Sequence, residues 1–588
     1  MVGMNSSEWT GVPEDVAAVR AEVEREIAGS TLLTAYAKTA AENADVIAHQ
    51  WRDGDEWRTL TYREVYEQVR DATLGLMASG LGPGEFAMIW TRNRSEATIA
   101  DYAVLHARAV PVFIYATVSA EQAAYIAGHC EATVAIVDRE FAAAFESIRA
   151  GLPNLRKVVV IEDDWTGLLE LGRAEGQRFP EKFEESWRQV TPEDLITVVY
   201  TSGTTGLPKG VMLTHHSIRY YQLAAERVLP HEAHADEDGL VRYISFLPMA
   251  HVTGRAVDNW ATLVYPVTIT YCPDPARVIE YAIQVHPTGF LGVPRIWEKL
   301  HAGLSAALPD SSPEAVRALP EPVKRAILSK VGLDKVHLAA SGAAPLDPEI
   351  IEFFQALGLS FIEGWGMTEL TFAGTSTAPA KYRIGRVGAA VPGTELRVAA
   401  DGELLARGPL LMRGYYKDPE LTAQTIDGDG WLHTGDIGEI DGDGSLKIID
   451  RKKEIIITAG GKNVSPALVE YELQRHPLIG QACAIGDRRS YLTALLVLDP
   501  DGAQAWARAR GIEFRTVADL ASHPEVLADV ERGVAAANSH LARPEQVRRW
   551  VLLPGEWTTQ SGELTPSLKR RRRVIVDRYA KEIEALYA

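Results

Sequence analysis

The sequence predicts an α/β protein. A large N-terminal domain of parallel sheets flanked by helices carries a small β-rich subdomain, and a small α/β C-terminal domain follows. Three observations lead there. Short apolar, strand-like runs alternate with helix-like stretches from about residue 60 to beyond 340, the pattern that gives parallel sheets with helical crossovers. After about residue 385 the runs shorten and Gly/Asp turns separate them. A charged run, Asp450-Arg-Lys-Lys-Glu454, then precedes a last mixed stretch. The domains are placed at 1–450 and 451–588, with the β-rich subdomain at about 386–450.

Taken in order, Thr61-Tyr-Arg-Glu64 opens a helix that runs to about Ser79, and Gly80-Leu-Gly-Pro-Gly84 breaks it. Phe86–Trp90 reads as a buried strand and a helix follows near 95–107. Val110–Ile114, Thr133–Val137, Val158–Ile161 and Leu195–Tyr200 read as further strands. In the subdomain the strands are Glu395–Val398, Gly402–Ala406 and Ser445–Ile449. Asp427-Gly-Asp-Gly430 and Asp441-Gly-Asp-Gly444 supply turns between them.

Composition bounds the function. The 588 residues hold 60 Lys and Arg against 79 Asp and Glu, a net charge of −19, which argues against a general nucleic-acid binder. Cys130, Cys272 and Cys483 are odd in number and widely spaced, so neither a disulfide framework nor a zinc pattern is expected, and a reducing cytoplasm is the default. No apolar run reaches the roughly 18 residues a spanning helix needs, and the start lacks the basic and apolar regions of a signal peptide. Any membrane contact is therefore expected to be peripheral. Oligomeric state is not legible.

The chemistry concentrates in Tyr200-Thr-Ser-Gly-Thr-Thr-Gly-Leu-Pro-Lys-Gly210. Thr201, Ser202, Thr204 and Thr205 offer hydroxyl donors, Gly203 and Gly206 let backbone N–H groups approach an anion, and Lys209 adds a point charge suited to phosphate. No Gly-Lys-Ser/Thr closes the run, so it is not a Walker A loop. Further on, Trp365-Gly-Met-Thr-Glu369 puts an aromatic face, a hydroxyl and a hard oxygen ligand within five residues. Asp436 follows Thr434-Gly435 and suits a pair of ribose hydroxyls.

The eleven-residue run resembles the signature loop of the adenylate-forming superfamily: acyl-CoA synthetases, luciferases and peptide-synthetase adenylation domains. Other segments agree in order, from about residue 30 to the end. Ser341-Gly-Ala-Ala-Pro-Leu346, with Gly342 and Ala343, looks like the adenine-side loop. Glu363-Gly-Trp-Gly-Met-Thr-Glu369 looks like the aromatic-Gly-x-Thr-Glu motif, with Trp365, Gly366, Met367 and Thr368 toward the nucleotide and Glu369 on Mg²⁺ with Thr204. Trp431-Leu-His-Thr-Gly-Asp436 looks like the ribose motif, joined on the nucleotide side by Ile448 and Arg451. Asp450–Glu454 looks like the hinge of a mobile C-terminal domain, with Lys453 as pivot and Asp450 beside it. Leu564-Thr-Pro-Ser-Leu-Lys569 looks like the catalytic-lysine motif, and the arginines after it are offered to CoA phosphates.

His251, in Phe246-Leu-Pro-Met-Ala-His-Val-Thr-Gly-Arg255, matches the histidine near the acyl pocket, with Thr253 where long-chain members often carry an aromatic. Val293–Lys299 and the Gly460-Gly-Lys-Asn-Val-Ser-Pro466 loop, with Gly460 and Gly461 on the CoA path, read like long-chain acyl-CoA ligases. The resemblance implies ATP-dependent activation of a long-chain fatty acid to acyl-AMP, then transfer to coenzyme A. Thr204, Thr205, Lys209, Glu369 and Lys569 would do the work. One alternative is an acyl-AMP ligase that serves a carrier protein. Another, of a different class, is a non-catalytic nucleotide or lipid sensor.

Overall fold

The computed structural model describes residues 16–201, 207–237, 239–460, 462–565 and 569–588. The site assignments at Ser202, Gly203, Thr204, Thr205, Gly206 and Gly461 lie outside the described residues.

The first sheet is parallel, in the order Val110–Phe113, Phe86–Trp90, Val134–Val137, Lys157–Val160. Its inner strands are buried at every position, as expected when both faces are covered. The Ser95–His106 helix is buried everywhere except Glu96, so it packs as core on all sides. The Tyr62–Ala78 helix starts at a capping box in which Thr61 and Glu64 exchange side-chain and backbone bonds. It crosses the Ile161–Arg178 helix so closely that a Cβ on Gly172 would fall 1.7 Å from the Asp71 carbonyl oxygen. Only glycine fits that crossing.

A second sheet runs Glu56–Thr61, Ile47–Asp53, Val267–Tyr271, Val241–Ser245, antiparallel only at its first pair. A third, parallel sheet holds Gly289–Gly292, Leu338–Ser341 and Phe361–Glu363. Trp297, fully buried among Phe290, Phe354 and Phe361, donates its indole N–H to the Ala340 carbonyl at 3.1 Å. It thereby braces the strand from whose end Gly342 and Ala343 project.

The alternating pattern breaks at Leu195–Thr201. This strand turns back into the antiparallel strand Lys209–Thr214, with Thr201 opposite Lys209, and Gly414–Tyr415 pairs on the far side. The β-rich region is an antiparallel sheet of Glu395–Val398, Glu403–Arg407, Leu432–Ile440 and Leu446–Arg451. Beyond it, Ile479–Ile485, Leu492–Leu498 and Val547–Leu553 form a mixed sheet. Its apolar cluster runs from Ile456 to Leu552 and draws on no earlier residue. No helix among the described residues is long and apolar enough to cross a membrane.

Candidate active site

Strand pairing assembles the first wall of a cleft. Lys209 opens its strand and Tyr415 lies on the neighbouring one. The Lys209 ammonium donates to the Tyr415 hydroxyl at 2.5 Å and stands 3.1 Å from Glu369 Oε1. The Tyr415 hydroxyl donates to the same Glu369 oxygen at 2.7 Å. Burial and the Glu369 charge both push the Tyr415 phenol far above its usual range. Sequence reasoning finds Lys209 and Glu369 but misses Tyr415. Its only local signal is a glycine–aromatic pair, and nothing in spacing ties position 415 to 209 or 369.

The ends of two parallel strands make the second wall, the usual place for a ligand in such sheets. Gly364 N–H donates to the Ser341 carbonyl, so the Gly342–Ala343 loop lies against Gly364–Trp365. Ala343 takes a positive φ of 70°, strained for a residue with a Cβ. At Gly366 a Cβ would fall 2.1 Å from the Phe372 carbonyl oxygen, so the chain can double back there only with glycine. Met367 and Ile448 pack on the cluster beneath, while Thr368 and Glu369 are buried in a single 3₁₀ turn. Thr201 ends its strand with a buried hydroxyl that has no partner among the described residues.

Trp365 departs from expectation. The sequence reading offers its ring face to adenine, yet the residue is 8% exposed and its ring packs with Leu370, Leu404 and Leu432. Its Nε1–H donates to Asp436 Oδ2 at 2.8 Å. The apolar cluster and this bond draw the indole inward, so Trp365 braces Asp436 and is not an open stacking platform. Arg451 Nε stands 2.8 Å from the other Asp436 oxygen. Burial raises the Asp436 carboxyl above its usual range, against the opposing pull of Arg451, Trp365 and Lys569.

The last wall comes from the C-terminal region. Lys569 is exposed and lies within electrostatic reach of Arg451, Asp436, Glu454 and Glu369. Desolvation and then Arg451 lower its ammonium, while Asp436, Glu454 and Glu369 favour the charge. His251 lies on the same side: burial, then Lys569, pushes its imidazole down to about 4. Its Nδ1 accepts the Thr253 N–H at 3.2 Å, which fixes the neutral tautomer protonated at Nε2.

Residues of the charged run 450–454 bond to both sides of this arrangement. Asp450, on the last strand of the β-rich sheet, accepts from the Ser465 hydroxyl and from Ala467 N–H at the start of the Pro466–Gln474 helix. Lys452 reaches back to Asp401 at 2.6 Å and Glu403 at 2.8 Å. Lys453 is exposed in the turn closed by Glu454 N–H on the Arg451 carbonyl. Gly460 sits at the exposed tip of the Ile456–Ile457 and Asn463–Val464 hairpin, whose Ala459 bonds to Arg489. It is not brought to the cleft in this orientation. Arg570 and Arg572 turn inward onto Glu470, away from the role offered to them. Among the described residues, no group of three or more His, Cys, Asp or Glu could hold a metal, and all three cysteines are buried and free.

Comparison with known proteins follows the same lines. The model of the AMP-binding enzymes matches residues 36–416, and that of the AMP-binding enzyme C-terminal domain matches 453–588. The protein named long-chain-fatty-acid–CoA ligase FadD15 of Mycobacterium tuberculosis is 33% identical over 576 residues, spanning 93% of this chain and 95% of its own. Long-chain-fatty-acid–CoA ligase ACSBG2 of Xenopus laevis is 29% identical over 649 residues, 98% of this chain and 87% of its own. Among solved structures, the adenylation domain of a carboxylate reductase from Mycobacterium chelonae superposes with a TM-score of 0.75 at 22% identity, covering 100% of this chain and 99% of that one. At that identity the likeness speaks to fold.

Proposed function

As the chain belongs to the AMP-binding enzymes, we propose that it activates a long-chain fatty acid with ATP to acyl-AMP and then forms the coenzyme A thioester, releasing AMP and pyrophosphate. The observation that supports this most is that Lys569 comes within electrostatic reach of Asp436, Glu369, Arg451 and His251.

The fatty carboxylate is already a nucleophile, so no general base is needed. One of its oxygens attacks the α-phosphorus of ATP. A new P–O bond forms, and the bond to the β-phosphate bridging oxygen breaks with that electron pair leaving on pyrophosphate. The Lys569 ammonium stands where two anions must approach and offsets their repulsion. Lys209 exchanges Glu369 for the triphosphate, and Tyr415 keeps the freed Glu369 carboxylate oriented. Asp436, braced by Trp365 and Arg451, accepts the ribose hydroxyls. Glu369 fits Mg²⁺ as a single hard carboxylate, since that ion takes few protein ligands and relies on phosphates and water for the rest. When bound, it would neutralise phosphate charge.

For the second step the C-terminal domain, 451–588, turns about Lys453 and carries Lys569 away. The CoA thiol then attacks the acyl-AMP carbonyl and AMP leaves. Between Arg451 and Pro466 the described residues form a turn and a two-residue-stranded hairpin. Among the described residues no inserted element lies between Arg451 and Pro466, which supports CoA as the acceptor. A panel of acids from acetate to about twenty carbons, scored for CoA-dependent AMP formation, tests the reading, with turnover expected to concentrate on long chains. AMP formation that ignores the acid, or ignores CoA, would overturn it.

A further inference from the structure

We propose that Glu470 is the positioning residue for Lys569. Through Arg570 and Arg572 it fixes the hairpin that carries the lysine, and so sets where the ammonium stands relative to the hinge. The proposal rests on the reading of Lys569 as the lysine of acyl-AMP formation.

The local ladder gives the hairpin its shape. Leu564 pairs with Arg570. Thr565 N–H donates to the Lys569 carbonyl at 2.7 Å, Lys569 N–H donates to Thr565 Oγ1 at 3.0 Å, and Arg571 N–H donates to the Glu563 carbonyl at 2.7 Å. None of these bonds says where the hairpin sits on its domain.

That place is set by two arginines: Arg570, bridged to Leu564, and Arg572, the first residue of the Arg572–Arg578 helix. Arg570 donates to the Ala482 carbonyl at 2.8 Å and to Gln474 Oε1 at 3.1 Å. Arg572 donates to the Ala484 carbonyl at 2.9 Å. Both guanidiniums then meet one carboxylate: Arg572 Nη2 is 2.6 Å from Glu470 Oε1, and Arg570 Nη2 is 2.9 Å from Oε2. Glu470 is 1% exposed and also accepts Ala484 N–H at 2.8 Å. Arg571 instead reaches the Gly562 carbonyl, and Arg573 is 78% exposed beside Asp577.

One arginine would neutralise Glu470. Two, converging from the bridge residue and from the start of the following helix, also fix how the segment that bears Lys569 sits on its domain. Glu470 is itself mounted on the Pro466–Gln474 helix, whose capping Ser465 is bound to Asp450 of the hinge. A continuous set of contacts thus runs from hinge strand to helix, to Glu470, to the arginine pair, to Lys569. All but Asp450 lie in the part that turns, so the lysine keeps its mounting while it leaves the site.

The test compares Glu470→Gln, Arg570→Gln and Arg570→Lys with Lys569→Ala. For each, single-turnover acyl-AMP formation from ATP and oleate is measured beside thioester formation from preformed oleoyl-AMP and CoA, with melting temperature. Displacing a reacting group by an ångström costs on the order of a hundredfold. The two Gln variants should therefore lose about tenfold to a hundredfold in acyl-AMP formation, through kcat more than the KM for ATP. Thioester formation should stay within about twofold, and Arg570→Lys should recover part of the loss. Equal losses in both half-reactions would make Glu470 a general structural residue. Wild-type acyl-AMP formation in the Gln variants, with Lys569→Ala inactive, would overturn the clamp and spare the lysine. Wild-type acyl-AMP formation in Lys569→Ala would remove the underlying reading and the clamp with it. Should Glu470→Gln fail to fold, the half-exposed Arg570 variants decide.

Discussion

Two ion pairs in the N-terminal part of the molecule use the same chemistry for opposite ends. Arg255 and Asp101 are 1% and 0% exposed and 2.5 Å apart. Arg255 also donates to Thr197 Oγ1 at 2.6 Å, Asn259 takes the second Asp101 oxygen at 3.0 Å, and the rings of Phe113 and Trp260 flank the guanidinium. Lys209 and Glu369 are 30% and 7% exposed, and the lysine side opens onto the cleft. The first pair has neither access nor room for a ligand. On the proposed mechanism the second pair holds Lys209 and Glu369 together until phosphate competes for the lysine. Access, not charge or burial alone, separates scaffold from site.

That contrast can be broken in several ways. The largest effect should come from Asp101→Ala, which strands a buried guanidinium and should cost about 3–5 kcal/mol of folding stability, read by denaturant unfolding. A loss under about 1 kcal/mol would mean the pair is not scaffold. Next, Lys569→Ala should slow acyl-AMP formation by on the order of a hundredfold to a thousandfold, leaving melting and the thioester half-reaction nearly unchanged. The Lys569 ammonium is held below its ordinary range, so it is lost as pH rises. Acyl-AMP formation should therefore decline on an alkaline limb that starts early for a lysine, a limb absent from thioester formation.

Lys209→Ala should be milder, about 1.5–3 kcal/mol in acyl-AMP formation, with folding stability intact, since the mutation only frees Glu369 toward the cleft. Pyrophosphate exchange at the wild-type rate would return Lys209 to the scaffold class. Glu369→Gln should raise the Mg²⁺ concentration needed for half-maximal activity, because an amide is a weaker ligand for a hard cation. An unshifted titration would move the ion elsewhere.

The smallest single-residue effect concerns His106. Burial pushes its imidazole down to about 4, and Nδ1–H donates to the Tyr102 carbonyl. The folded protein keeps it neutral, whereas the unfolded chain takes up a proton below pH 6.5. Its contribution is therefore complete above pH 6.5 and lost as pH falls toward 4. Melting temperature should drop across that window, and His106→Gln should remove up to about 1.4 kcal/mol per pH unit of the slope.

The parallel sheets were legible because strands such as Phe86–Trp90 and Val134–Val137 are apolar on both faces and bounded by breakers. The helix at Tyr62–Ala78 announced itself through Thr61 and Glu64. Asp450, Asp436, Glu369 and Lys569 stood out through motifs. What stayed hidden depends on long-range pairing. The return of Lys209–Thr214 against Leu195–Thr201 looks locally like one more crossover, and Tyr415 meets Lys209 only because a strand some two hundred positions later docks alongside. Trp365 was legible as an aromatic near the nucleotide but not as a brace, since its direction is set by Leu404 and Leu432. The arginine run was offered as a whole to CoA phosphates, although Arg570 and Arg572 turn onto Glu470 while Arg571 and Arg573 do not.

In the proposed domain rotation, Asp450 would supply a thermodynamic bias. Its carboxylate lies on the fixed sheet, yet two of its donors, the Ser465 hydroxyl and Ala467 N–H, belong to the part that turns. Rotation strips both away from a residue only 6% exposed. A charge-assisted contact of about 1.5–3 kcal/mol corresponds to a closed-to-open ratio of about ten to a hundredfold or more. On the proposed mechanism the resting enzyme is weighted toward the orientation that receives ATP, and CoA binding would supply a comparable preference for the other. Asp450→Ala should flatten that gradient, making the open population measurable by interdomain distance probes before any substrate is added.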